Sequence, residues 1–210
     1  MLLITLTIGL LGAFLMFCGD MILYYDKNDF EQNGTLDPII NIMKKLPKKR
    51  VMVGGLIGPV AAFLYCIGFY HMVLITKEPF YMLSFAAFLL SCMGIIAGGA
   101  YHSHCAYLGL LGGDEQRKDL EIVLSYFQKI PIILYAGEGL GLILLLFLII
   151  TGNTLFPIWM GILSPGVLFL LRPLVRKLPK GIHMVLSGGF TNIIFIVYYL
   201  AAVSICLLTA

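Results

Sequence analysis

Six apolar runs, each long enough to cross a bilayer, leave this chain few folds to choose from: Leu2 to Tyr24, Val51 to Ile75, Phe80 to Tyr101, Pro131 to Thr151, Thr154 to Leu171 and Met184 to Leu208. A spanning helix needs about 20 consecutive apolar residues. In hydrocarbon every backbone N–H and C=O must find its partner within the protein, which a helix achieves and an exposed loop or open strand does not. With 60% of 210 residues hydrophobic, 12% charged and a mean hydropathy of +0.98, too little polar surface remains for a water-soluble domain. The sequence predicts one all-α integral membrane domain over residues 1–210. Its architecture is a polytopic helical bundle of six transmembrane helices with short amphipathic cytoplasmic helices.

The basic residues orient that bundle, because Lys and Arg near span ends are retained in the cytoplasm. Lys27, Lys44, Lys45, Lys48, Lys49 and Arg50 precede the second run; Arg117, Lys118 and Lys129 precede the fourth; Arg172, Arg176, Lys177 and Lys180 lie between the fifth and sixth. Thirteen of the 14 basic residues thus fall on one side, and only Lys77 on the other. Both termini are expected outside, in a plasma (cell inner) membrane. The net charge of +3 belongs to this cytoplasmic rim and implies no nucleic-acid partner. The first run lacks the basic flank and small-residue cleavage site of a removable signal peptide and is expected to be retained.

Asp37-Pro38 reads as the start of a short amphipathic helix carrying Ile39, Ile42, Met43 and Leu46, ended by Pro47 and laid against anionic lipid by the lysines beside it. A second polar-apolar segment holds Leu120, Val123, Leu124 and Phe127 on one face. Gly55-Leu56-Ile57-Gly58-Pro59 and Gly161-Ile162-Leu163-Ser164-Pro165 resemble each other in runs of opposite direction, as an inverted repeat requires. Cys18, Cys66, Cys92, Cys105 and Cys206 are scattered, without C-x-x-C spacing, and read as small apolar residues.

Glu138 carries the functional signal. Starting the fourth run after it would leave only about a dozen apolar residues, too few to span, so the acid is intramembrane. A carboxyl group there is costly to bury unless neutral or paired with a cation, and is by default a functional candidate. At about 1.5 Å per residue it lies roughly 10 Å inside from Pro131. Other polar residues fall in the same half: Asp20 and Tyr24 late in the first run, Tyr101 and His102 late in the third, Arg172 late in the fifth, Thr191 and Asn192 early in the sixth. Tyr24 is four residues from Asp20 and so placed to hydrogen-bond it. Arg172 is a candidate partner for Glu138 or Asp20. His102 shares a face with Gly94 and Gly98 and looks inward, whereas His104, two residues on, points away. His71, near the outer end of the second run, is expected as an interfacial ring.

No H-E-x-x-H, G-x-S-x-G, Walker or Rossmann pattern is present on a suitable element, and no metal site or cofactor is indicated. The cluster suits an intramembrane enzyme performing acid–base chemistry on a lipid or apolar small molecule. Glu138, Asp20 and His102 would be catalytic, and Arg172, Asn192, Tyr24, Tyr101 and Thr191 would contact the substrate. The alternatives are a proton-coupled small-molecule transporter or channel, and a structural membrane subunit. The orientation predicts that cysteines introduced across Lys44 to Arg50 react with a membrane-impermeant maleimide only after the inner face is opened; labelling of intact cells would reverse the topology.

Overall fold

In a computed structural model the chain forms an all-α helical membrane bundle. Residues 1–25, 42–43, 45–111, 118–175 and 177–208 are described, of 118–121 and 180 the backbone alone. The helices are α1 (Leu2–Tyr24), α2 (Lys48–Phe69), α3 (His71–Leu74), α4 (Tyr81–Leu111), α5 (Lys118–Phe127), α6 (Ile130–Ile150), α7 (Pro165–Leu168), α8 (Arg172–Val175) and α9 (Lys180–Leu208), with 3₁₀ turns at Ile158–Gly161 and Phe169–Leu171. Among the described residues, five helical stretches are long and apolar enough to span a membrane: Leu2–Tyr24, Lys48–Leu74, Tyr81–Leu111, Ile122–Ile150 and Gly181–Leu208. The protein is an integral membrane protein.

Neighbouring long helices pair in the order α9–α1–α2–α4–α6. Each pair is antiparallel: Gly9 meets Tyr199 and Gly188 meets Tyr24; Gly54 meets Leu23 and Gly12 meets Tyr65; Gly109 meets Val51 and Gly99 meets Ala62; Gly94 meets Glu138 and Gly141 meets Ser91. The termini of α1, α2, α4, α6 and α9 that carry or adjoin Tyr24, Lys48, Leu111, Lys129 and Lys180 therefore gather at one end, hereafter the basic end.

Residues 154–175 close the ring. At the far end, Thr76 and Thr154 form an antiparallel bridge. The chain then passes Ile149 and Ile150 at Gly161, Leu142 at Gly166 and Tyr135 at Phe169, and so returns to the basic end alongside α6. The apolar run from Thr154 to Leu171 was expected to form one continuous helix, and here the structure differs. Ser164 adopts an extended conformation with ψ 140°. Pro165 imposes it, since its ring disfavours helical geometry in the preceding residue and it has no N–H to continue a helix. Pro59, by contrast, lies inside an unbroken α2. The two proline motifs that look alike in sequence thus adopt different structures. Helix α4 runs ten residues beyond Tyr101, and α9 begins at Lys180 rather than Met184, because helical hydrogen bonding continues past the apolar boundary. The short amphipathic helix expected from Asp37 lies mostly outside the described residues. Of it, Ile42 and Met43 are helical and buried, Met43 against Gly109.

Arg50 fastens the start of α2 to the end of α1. Its guanidinium donates to the carbonyls of Ile22 at 2.7 Å, Met21 at 3.3 Å and Tyr25 at 2.7 Å. These are carbonyls at a helix C-terminus, where intrahelical donors run out and the dipole favours a cation.

Small residues set the spacing of the helices. A Cβ on Gly94 would stand 2.5 Å from the Glu138 backbone nitrogen, so α4 and α6 touch main chain to main chain. A Cβ on Gly139, one residue past Glu138, would meet nothing within 4 Å. Gly94→Val is therefore expected to lower stability by about 1–3 kcal/mol, measured by denaturant titration in detergent, whereas Gly139→Ala leaves it unchanged. Equal effects would contradict the packing of α4 on α6.

Candidate functional site

Lipid supplies no hydrogen-bond donors, so a carboxylate buried in a bundle must collect them from other helices. Asp20 on α1 does so twice. His102 Nε2 of α4 lies 3.0 Å from its Oδ1, and Asn192 Nδ2 of α9 donates to its Oδ2 at 2.6 Å. The Asn192 carbonyl oxygen in turn accepts the Tyr65 hydroxyl of α2 at 2.8 Å. Asp20 and His102 are each 5% exposed, Asn192 7% and Tyr65 0%, so all four are enclosed by protein rather than by acyl chains. One relay thus joins α2, α9, α1 and α4.

The sequence brings these groups together through glycine. Gly19 precedes Asp20 and faces the His102 ring: a Cβ there would sit 3.4 Å from Nδ1. On the other flank, Gly58 leaves room for the His102 Cβ. The ring is thus held in a slot between α1 and α2. Among the described residues its Nδ1 is buried without a hydrogen-bond partner. Since Asp20 fixes Nε2, the second nitrogen is left with a proton-accepting lone pair wherever Nε2 bears the hydrogen.

Glu138 is also 5% exposed, and its Oε1 is buried with no hydrogen-bond partner among the described residues. It faces α4 at Gly94 and lies within electrostatic reach of Tyr65 and Tyr199. The Tyr199 hydroxyl is likewise buried and unpartnered. Asp20, Glu138, His102, Tyr65 and Tyr199 all lie in the interior, and among the described residues three of their polar atoms have no hydrogen-bond partner.

The remaining candidates separate. Tyr24 does not bond Asp20 as its four-residue spacing suggested. Its hydroxyl meets Cys105 Sγ at 3.2 Å while its ring stands edge-on to His102 at 6.5 Å. Tyr101 stacks on Phe127 with centroids 4.5 Å apart. Arg172 pairs with neither acid: it is exposed, donates to the Tyr135 hydroxyl at 3.2 Å and lies over the Phe169 ring. Thr191 is half-buried beside Asn192. His104 bonds the Ala100 carbonyl at 2.7 Å and packs on Tyr126. Among the described residues, no three His, Cys, Asp or Glu side chains converge as a metal would require.

His71 is not interfacial. It is 0% exposed, with Nδ1 donating to the Gly68 carbonyl at 2.6 Å and Nε2 accepting from the Tyr198 hydroxyl at 2.7 Å. Both ring nitrogens are used, in contrast to His102. Tyr65 is the participant that residue-by-residue reading missed. Its signal was present, since Gly54, Gly58, Ala61 and Tyr65 recur at helical spacing on the small-residue face of α2.

Fold and site together define a helical integral membrane protein with an Asp–His–Asn–Tyr relay and a separate unpaired glutamic acid in its interior. The chain belongs to a family of unknown function, DUF6796, whose model matches residues 2–209. No curated protein and no solved structure matches it.

Asp20→Ala leaves two buried donors without an acceptor and is expected to lower stability by about 2–4 kcal/mol, whereas Tyr65→Phe removes only the last hydroxyl and costs about 1 kcal/mol. Steric-trap or denaturant unfolding in bicelles measures both. A larger loss from Tyr65→Phe than from Asp20→Ala would be inconsistent with Asp20 as the acceptor at the centre of the relay.

Proposed function

We propose that this protein is an intramembrane enzyme that moves a proton on a lipid or apolar small molecule, with His102 as the base and Glu138 as the second, proton-bearing group. The observation that carries this reading is the asymmetric histidine. One ring nitrogen is oriented by a carboxylate, the other is buried and unpartnered, and the adjacent position on α1 is a glycine. Orienting one nitrogen of an imidazole with an acid leaves the other aimed and ready to take a proton, the arrangement general-base catalysis requires. Asp20 is then a positioning residue, Asn192 and Tyr65 hold it in turn, and Tyr24 borders the ring. Isomerisation, cyclisation or hydrolysis fits this equipment. The basic end faces the cytoplasm of the cell's inner membrane in this reading, which puts the reacting groups in the half of the bilayer nearer cytoplasmic water.

A second reading, proton-coupled transport, is favoured by one observation. The 154–175 segment is interrupted at Ser164, whose hydroxyl is buried without a partner, as in interrupted helices that line transport sites.

Comparative lipidomics of cells expressing wild-type protein, His102→Gln or Glu138→Gln at matched levels separates the two. The enzyme reading predicts a lipid or isoprenoid-like species that changes with the wild-type protein and returns toward the empty-vector level in both variants. Removal of an acid–base group lowers turnover about 10²–10⁴-fold. An unchanged profile across all strains, together with proton flux in proteoliposomes that Glu138→Gln abolishes, would replace the enzyme with the transporter.

A further inference from the structure

The acid–base site uses neither of two cysteines that the fold brings face to face. Helices α2 and α4 run antiparallel along a seam of small residues, in which Gly55 meets Ala106, Gly58 meets Gly99 and His102, and Ala62 meets Gly99. Continuing that register toward the far end places Cys66 opposite Cys92. The next pair along, Tyr70 and Phe88, is in ring contact at 5.7 Å and keeps the same register. Cys92 Sγ donates to the Cys66 carbonyl oxygen across the seam at 3.9 Å. Both side chains are half-buried, so each is partly reachable from the lipid.

Three consequences follow from chemistry. A disulfide needs opposed residues whose Cα atoms lie about 4.4–6.8 Å apart, and helices brought together through glycine and alanine approach that closely. Within hydrocarbon, charged thiol reagents such as glutathione do not partition, because burying their charges is too costly. An oxidant that reaches this pair must therefore be apolar.

We propose that Cys66 and Cys92 form a reversible dithiol–disulfide site inside the bilayer whose oxidant is a lipid-soluble quinone. Two S–H bonds break and one S–S bond forms; the two electrons and two protons released convert the quinone to its quinol. The bond would tie α2 to α4 beside Tyr65, the residue whose hydroxyl holds Asn192. Redox state would then reach the relay through a one-residue step along α2.

The test uses full-length protein in phosphatidylcholine nanodiscs and a tetramethyl benzoquinone, which has no open ring carbon for thiol addition. Thiols are counted with a maleimide mass tag after denaturation in detergent. The wild-type chain should show all five cysteines tagged before oxidation and two fewer afterwards, with full recovery in dithiothreitol. Cys66→Ser and Cys92→Ser should each show no loss, while Cys18→Ser and Cys206→Ser lose two tags as the wild type does. Cys66→Ala serves as the second variant if serine disturbs the seam. Retention of all five tags, a loss that persists in both Cys66 variants, a covalent quinone adduct, or a cross-linked dimer on a non-reducing gel would each overturn the proposal.

Discussion

A carboxylate surrounded by hydrocarbon has to be answered by donors from within the protein, and Asp20 obtains them from two different helices. His102 and Asn192 lie on α4 and α9, neither adjacent to Asp20 in sequence, and both reach one side chain on α1. Their geometry holds only if α4 and α9 sit at fixed heights and rotations relative to α1. Glycines make those heights attainable: Gly19 and Gly58 admit the His102 ring, and Gly9 and Gly68 admit the Tyr199 ring. Arg50 then closes the basic end by capping α1. The acid and the small residues are therefore two parts of one device, since the first demands convergence and the second permits it.

The two buried histidines show how similar residues acquire different roles. His71 engages a backbone carbonyl and a tyrosine hydroxyl, exhausting its ring nitrogens, and serves the packing of α3 against α9. His102 engages one acid and leaves Nδ1 unpartnered. An unpartnered buried polar atom costs about 1–3 kcal/mol. Four such atoms, on His102, Glu138, Ser164 and Tyr199, occur among the described residues. A fold that only needed to hold together would be more stable with apolar residues at these positions, and in the proposed reading that cost is the price of an acid–base site.

Much of this was legible in the sequence, and what was not has identifiable causes. Apolar length alone gave the helical membrane class, and glycine spacing correctly aimed His102 into the bundle. Asn192 lies on one stripe of α9 with Gly188, Gly189 and Tyr199 and is buried, although nothing in that spacing shows that its amide meets Asp20. Local spacing misled where a tertiary partner was better placed: Tyr24 lies one turn from Asp20 but turns to Cys105, which the neighbouring helix presents. Hydropathy could not distinguish a continuous helix from the interrupted 154–175 segment, because Ser164 and Pro165 change backbone geometry without changing apolar length. Arg172 escaped the interior because its long side chain reaches an exposed tyrosine instead of an acid. Cys66 and Cys92 became a pair only once the antiparallel register of α2 and α4 was known.

Solid-state NMR of protein carrying nitrogen-15 histidine and carbon-13 aspartate, with His102 assigned by comparison with His102→Gln, reads the proton position on the ring directly. The account predicts a proton on Nε2, coupled to the Asp20 carboxylate, and a bare Nδ1. A proton on Nδ1 with Nε2 bare, or no coupling between the two side chains, would contradict it.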